Sequence, residues 1–333
     1  MAEKHRVLVI GTGSIGERHT RCFLETQRAD VSICEINKAL CDDVAGRYAL
    51  SGAFTDLDEA IKHSYDAAIV CVPANLHIAV ATKLASNGIH LLIEKPLATN
   101  LDGIEELEGV IAERSLTVGV AYVLRTNPAL RSMKEAIDSG RLGKPVQFTT
   151  QSGQHFPTYR PAYREIYYTR HETGGGAIQD AITHIANASE WLVGSVRKIV
   201  ADAEHKILDG VDVEDTVHFI TRHENDVMGS FSLNQHQAPN EGYLQIACER
   251  GTVRFEFHNG RWFWMTEPGA EWNEGDHQAL ERDEIFVLQA NHYLDAIEGK
   301  VPVNCTLEAG KQTLRVNLAA LESVRSGRWV SVG

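Results

Sequence analysis

Along the first 120 residues of this 333-residue chain, short unbroken apolar runs alternate with stretches in which apolar positions recur every three or four residues. The runs Arg6–Ile10, Val31–Cys34, Ala53–Phe54, Ala67–Val72, His90–Ile93 and Thr117–Val120 predict strands. Between them, Gly16–Glu25, Asp56–His63, Asn75–Asn87 and Leu101–Glu113 predict helices. Strands that are apolar on both faces need cover on both faces, so the alternation predicts a doubly wound parallel sheet. After Tyr122 the pattern changes. A helix over Ala129–Ser139 stops at Gly140 and Gly143. A polar, aromatic and arginine-rich stretch then covers 151–171, and a helix entered through Gly174, Gly175 and Gly176 follows it. Strand-like segments come next, at Lys198–Ala203, Val217–Arg222, Gly229–Asn234, Leu244–Cys248 and Thr252–His258. Turn signals separate them, which predicts an antiparallel sheet. Helices at Ile285–Glu298 and Glu308–Ser326 close the chain. The expected organisation is an α/β domain at 1–123 and an α+β domain at 124–333.

Composition narrows the function classes. At 43% hydrophobic and 23% charged residues the chain has the make-up of a soluble globular protein. No apolar run approaches the ~20 residues of a membrane span. The chain enters a strand pattern almost at once, so no secretory signal is expected. A formal charge of −13 speaks against nucleic acid or an anionic membrane as the main partner. Cys22, Cys34, Cys41, Cys71, Cys248 and Cys305 are scattered without a CxxC pair. They are expected to be reduced, mostly buried thiols of a cytoplasmic protein, with neither disulfides nor a metal site.

Two motifs carry chemistry in the first domain. "VLVIGTGSIGERH" sets Gly11, Gly13 and Gly16 in a GxGxxG between a strand and a helix, with Thr12, Ser14 and Ile15 interleaved. Glu35 stands 19 residues past Gly16, at the end of the second strand. A tight turn, close backbone approach to a pyrophosphate and a helix N-terminus suit a dinucleotide. The carboxylate of Glu35 accepts from a ribose diol and repels a 2′-phosphate, which favours NAD over NADP, although Lys38 nearby weakens that preference. "CVPANLH" and "IEKP" place Pro73, Asn75, His77, Glu94 and Lys95 beyond strand ends, where ligands of such sheets lie. An ammonium at Lys95 can stabilise charge developing on a substrate oxygen.

These residues and others farther on resemble one family. The fingerprint at Gly11–Gly16, PANxxH at Pro73–His77, EKP at Glu94–Pro96 and RxNP at Arg125–Pro128 occur in order. GxxGKP at Gly140–Pro145, GGG with DxxxH at Gly174–His184, and VEDT at Val213–Thr216 continue the series. Together they resemble the glucose–fructose oxidoreductase/inositol 2-dehydrogenase/MocA-like (Gfo/Idh/MocA) oxidoreductases. The resemblance implies an N-terminal Rossmann domain that binds NAD, and a C-terminal α+β domain with a large, mostly antiparallel open sheet. It also implies a homo-dimer or homo-tetramer formed through that sheet. The activity implied is NAD(P)-dependent oxidation or reduction of a secondary alcohol on a sugar, cyclitol or sugar derivative. Lys95, Asp180 and His184 match the family's lysine, substrate-orienting aspartate and proton-transferring histidine, and the Lys95–Pro96 bond is expected to be cis.

The residues themselves agree with these roles. Asp180 and His184, at i and i+4, share a helix face, and alcohol oxidation needs a group such as imidazole to take the hydroxyl proton. The three glycines would let backbone approach substrate or nicotinamide. Alone, such a pair is more often a surface ion pair or half a metal site than a catalytic pair, but no third ligand at metal spacing accompanies it. Ile182 and Asn187 depart from the family pattern, where a small residue and an aspartate are frequent. Tyr122, Arg125, Gln154, His155, Tyr159, Arg160 and Arg164 are expected, with Asp180, to contact a polyhydroxylated substrate. Two other readings use the same site: an NAD-dependent glycosidase that works by transient oxidation, and a non-catalytic nucleotide-sensing regulator.

Overall fold

The computed structural model describes residues 4–277 and 280–333. The chain forms two compact units, one of residues 1–123 and 281–310, the other of residues 124–280 and 311–333. In the first, strands β1 (His5–Ile10), β2 (Ala29–Cys34), β3 (Gly52–Phe54), β4 (Ala67–Val70), β5 (His90–Ile93) and β6 (Val118–Val120) build a sheet ordered β3-β2-β1-β4-β5-β6. Every pairing is parallel. Helices α1 (Ser14–Glu25), α2 (Lys38–Arg47), α3 (Leu57–Ala60), α4 (His77–Ser86) and α5 (Ile104–Arg114) connect the strands. Because all strands run one way, the ends of β1, β2, β4 and β5 lie on one edge of the sheet. Helix α2 is absent from the apolar pattern because it buries only Cys41 and Val44. Asn37 starts it by accepting the Leu40 N–H at 3.2 Å.

The second unit opens with α6 (Pro128–Asp138) and β7 (Pro145–Gly153), followed by the four-residue α7 (Phe156–Tyr159) and by α8 (Thr183–Val193). Then come β8 (Val196–Glu204), β9 (Thr216–His223), β10 (Met228–Asn234), β11 (Glu241–Cys248), β12 (Gly251–Glu256), β13 (Arg261–Met265) and β14 (Asn273–Glu274). Helix α9 (Glu284–Ile297) belongs to the first unit, and most of α10 (Leu307–Ser326) with β15 (Val330–Ser331) to the second. The nine-stranded sheet runs β14-β13-β12-β11-β7-β10-β9-β8-β15 and is antiparallel except between β7 and β10. Its inward positions, among them Phe148, Phe219, Phe231, Leu244, Ile246 and Phe255, are buried in one core with Leu130, Ile178, Ile182, Ile185 and Val316. Strands β7 and β13 escape the sequence pattern. In β7 only Phe148, Thr150 and Gly153 are buried, among polar residues.

The return of residues 281–310 to the first unit differs from a single boundary after 123. Its cause lies in long-range pairing. Arg18 and Arg21 of α1 each hold Asp283, and Arg28 holds Asp295 and Glu298. Between these ion pairs Ala290, Tyr293 and Leu294 of α9 are buried against the strand residues Val31 and Ile69 in one cluster. Among the described residues, all six cysteines are free thiols, and no helix is long and apolar enough to cross a membrane.

Candidate active site

The nucleotide edge of the first unit begins where β1 ends. Gly11 has φ +81°, and a Cβ on Gly16 would stand 1.8 Å from the Gly11 carbonyl oxygen, so both positions require glycine. Gly13 differs: a Cβ there would meet nothing within 4 Å. It precedes α1 without a side-chain cap, so no N-cap side chain satisfies the first N–H groups of that helix, which fits a pyrophosphate. Glu35 is 9% exposed and held on both oxygens. Oε2 accepts the Thr12 N–H at 2.7 Å, and Oε1 accepts the Asn37 N–H at 2.9 Å. Oε2 also accepts the Thr12 hydroxyl at 3.4 Å, a long bond that a ribose hydroxyl could displace, and Oε1 keeps a lone pair for a further donor, so the residue fits a ribose diol. Lys38, the neighbour expected to soften this preference, is paired with Asp42 at 2.7 Å. Next to Glu35 the side chain of Ile36 is 90% exposed. This apolar surface on the nucleotide edge belongs to no motif in the sequence.

At the end of β5 the EKP turn is fastened from two sides. Glu94 is buried. Its Oε1 pairs with His19 Nε2 of α1 at 2.8 Å, and its Oε2 accepts the Lys95 N–H at 2.9 Å. Burial pushes this carboxyl up, but the hydrogen bond and charge of His19, with the charge and N–H of Lys95, hold it below the usual range. His77, 1% exposed, sets Nε2 2.7 Å from the Val72 carbonyl and Nδ1 3.1 Å from that of Pro96. Burial lowers its pKa against those hydrogen bonds. Glu94 and His77 therefore position the turn, while Pro73 and Asn75 are exposed and Lys95 is half-buried. The Lys95–Pro96 bond is cis. Tyr122 is 1% exposed.

The second unit carries the remaining residues. Gly174 and Gly176 have φ +92° and +87°. A Cβ on Gly175 would stand 2.1 Å from the Tyr168 carbonyl oxygen, and one on Gly176 would stand 2.6 Å from both carboxylate oxygens of Glu214. The expectation that all three glycines serve ligand approach does not hold for two of them. Gly175 and Gly176 admit this chain's own Tyr168 backbone and Glu214 carboxylate. The helix that follows starts as a π-turn, Ile178–Ile182, and continues as α8. Such turns re-aim side chains and recur at functional sites. Asp180 lies within the π-turn, 7% exposed, and its Oδ1 accepts the Tyr167 hydroxyl at 2.7 Å. His184 follows, half-buried.

The VEDT segment supports this helix head. Glu214 Oε1 accepts the Ile178 N–H at 2.8 Å, Oε2 lies 2.5 Å from His171 Nε2, and the Glu214 carbonyl accepts the Ala177 N–H at 2.9 Å. Asp215 takes the N–H groups of Lys206, Ile207 and Leu208. Burial raises its pKa, and these hydrogen bonds outweigh that and lower it. The aromatic stretch divides in two. Tyr163 and Tyr168 form a small core with Phe156, Leu208, Val211 and Val213. Gln154 and His155 are half-buried, bonded to Asn240 and Thr158, while Tyr159, Arg160 and Arg164 are exposed. Arg125, expected at substrate, is 8% exposed and turned inward, its Nε donating to Asn187 Oδ1 at 2.7 Å. Asn187 in turn donates to Thr313, which donates to Glu190. The amide at the position where the family often has aspartate is thus a link in a buried polar chain. Among the described residues no group of three or more His, Cys, Asp or Glu is arranged to hold a metal ion.

Comparison with known proteins places this architecture. Residues 5–122 match the profile of an oxidoreductase family with an NAD-binding Rossmann fold, and residues 130–254 that of the GFO/IDH/MocA C-terminal domain. A levoglucosan dehydrogenase of Pseudarthrobacter phenanthrenivorans is 22% identical, covering 90% of this chain and 88% of its own. The scyllo-inositol 2-dehydrogenase (NAD(+)) of Bacillus subtilis is 23% identical, with 98% and 96% covered. The structure of a levoglucosan dehydrogenase in complex with NADH superposes with a TM-score of 0.91 at 20% identity, over 99% of this chain and 100% of that one. The two profiles follow one another along most of the sequence, one on the parallel-sheet unit and the other on the mostly antiparallel sheet: the chain belongs to the Gfo/Idh/MocA family of NAD-binding oxidoreductases.

Proposed function

We propose that this protein oxidises or reduces a secondary alcohol of a sugar, cyclitol or sugar derivative, with His184 as its general acid/base. The observation that carries the reading is the head of α8, where a buried carboxylate and a half-buried imidazole stand on one helix, in a chain that also holds a dinucleotide cradle. NAD, when bound, supplies the hydride acceptor or donor at nicotinamide C4. Gly11–Gly16 hold the pyrophosphate and Glu35 the ribose diol. The pairing of Lys38 with Asp42 leaves Glu35 to disfavour a 2′-phosphate, which supports NAD over NADP. Lys95 donates to the reacting oxygen and stabilises the charge that develops on it. His184 takes the hydroxyl proton in oxidation and returns it in reduction, while Asp180 accepts from a hydroxyl of the same ring. Gln154, His155, Tyr159, Arg160 and Arg164 supply further polar contacts. His77, Glu94, Tyr122 and Arg125, all buried, shape the surroundings.

The family's named dehydrogenases of levoglucosan and inositols support this substrate class. The test is a screen of sugars, inositols, uronic acids and nucleotide sugars with NAD and NADP, followed at 340 nm, with His184→Ala beside it. Full activity of that variant on a confirmed substrate refutes the mechanism. Release of a glycosidic leaving group without net reduction would instead favour the glycosidase. We place the protein in the cytoplasm as a homo-dimer or homo-tetramer assembled on the outer face of the nine-stranded sheet, where Ile220 and Met228 are 49% and 44% exposed. A monomeric mass by light scattering would contradict that assembly.

A further inference from the structure

We infer that Tyr167 is the positioning residue of Asp180, and that the GGG turn exists to bring the two together; this rests on Asp180 being the carboxylate that holds substrate. The phenol donates to Asp180 Oδ1 at 2.7 Å, which fixes one carboxylate oxygen and with it the plane of the group. Within a π-turn the aspartate's backbone is displaced from regular helical register, so helix geometry alone does not aim its side chain, and an external donor is needed to do so.

The segment that carries Tyr167 is tied to the helix head at four points. Thr173 Oγ1 donates to the Tyr167 carbonyl at 2.6 Å, and the Gly175 N–H donates to the Arg170 carbonyl at 2.8 Å. Gln179, inside the π-turn, reaches back to the His171 and Gly175 carbonyls at 2.9 and 3.3 Å. The fourth tie is steric: the Tyr168 carbonyl occupies the place of a Gly175 Cβ, at 2.1 Å. Any side chain at 175 would push the Tyr167–Tyr168 backbone off the helix and carry the phenol away from Asp180. Tyr168, buried beside it and bonded to Gln235, fixes the neighbouring peptide from the other side.

The test uses the full chain and Tyr167→Phe, which removes the hydroxyl and keeps the ring. With NAD and levoglucosan, myo-inositol or scyllo-inositol, whichever is turned over, kcat/KM should fall by about tenfold to a hundredfold, the worth of a hydrogen bond to a charged group. The acidic limb of its pH profile should move to higher pH, because a carboxylate that loses a donor protonates more readily. A purely structural role would leave that limb in place, and NADH affinity should not change. Wild-type kcat/KM and pH profile in Tyr167→Phe, together with an inactive Asp180→Asn, overturn the inference and leave the proposed function standing. An Asp180→Asn variant of full activity overturns the proposed function itself. A second measurement needs no substrate. In protein labelled with 13Cζ-tyrosine, the resonance missing from Tyr167→Phe should titrate at lower pH in Asp180→Asn than in the wild type. An unchanged titration means the phenol does not serve Asp180, and the inference falls whatever the three polyols show.

Discussion

Replacing Glu214 by alanine should loosen the helix head that bears Asp180 and His184, by an amount the structure allows to be worked out. The side chain is 6% exposed, with Ile178 N–H at 2.8 Å on one oxygen and His171 Nε2 at 2.5 Å on the other. Alanine leaves the buried Ile178 N–H without an acceptor, which costs about 1–3 kcal/mol. The His171 pair adds at most about 1 kcal/mol, because the imidazole is 45% exposed and screened by solvent. A loss of about 1–4 kcal/mol corresponds to a fall in Tm of about 3–15 °C for a unit of this size.

Glutamine separates the two contributions, since its carbonyl can still accept from Ile178 while the charge facing His171 is gone. The Glu214 hydrogen bond raises the pKa of His171 against burial, which lowers it. A group whose pKa is raised on folding stabilises fully below its unfolded value, near 6.5, and that stability is lost as pH rises through the folded value. The Tm gap between wild type and Glu214→Gln should therefore be widest below about pH 6 and close toward pH 9. Differential scanning calorimetry at pH 5.5, 7 and 9 reads all three proteins. Glu214→Ala within 2 °C of wild type at pH 5.5, or a glutamine gap that widens with pH, would show that this carboxylate does not hold the helix head.

Three further perturbations discriminate other parts of the structure. Gly175→Ala should cost about 1–3 kcal/mol by overpacking against Tyr168, whereas Gly109→Ala, in an exposed turn of α5 with nothing within 4 Å of its Cβ, should stabilise by about 0.5–1 kcal/mol; equal effects in urea unfolding would refute the crowding argument. His19→Ala strands the buried Glu94 carboxylate and should lower stability by about 3–5 kcal/mol. Because the Glu94 pKa is depressed on folding, the wild-type pair should lose its contribution as pH falls through that lowered value, and urea titrations at pH 7 and pH 3.5 that show the same His19→Ala deficit would count against the pair. Glu35→Ala removes the acceptor of the Thr12 and Asn37 N–H groups and the ribose contact together, so NADH affinity should fall about tenfold or more by fluorescence titration; an unchanged affinity would place the ribose elsewhere.

What the sequence made legible, and what it hid, follows from the range of each interaction. Strand β4 was readable because all four of its residues are buried, so burial alone writes an unbroken apolar run. The fingerprint was readable because its demands are local: Gly16 must clear Gly11, five residues away. Helix α2 was not, with two buried residues in ten, and neither was the return of α9 to the first unit, since Arg18 and Asp283 meet across 265 residues. The π-turn left no mark because Ile178, Ile182 and Ile185 keep a helical period whether the turn beneath them holds i+4 or i+5 bonds. The glycine run is the sharpest case. A missing Cβ announces that something approaches closely, and a ligand or the chain's own backbone places the same demand on it. At Gly13 the space is open, and a ligand is the consistent reading. At Gly175 and Gly176 the space is taken by Tyr168 and Glu214, so the same residue type clears a nucleotide site in one unit and holds the head of the helix bearing Asp180 and His184 together in the other.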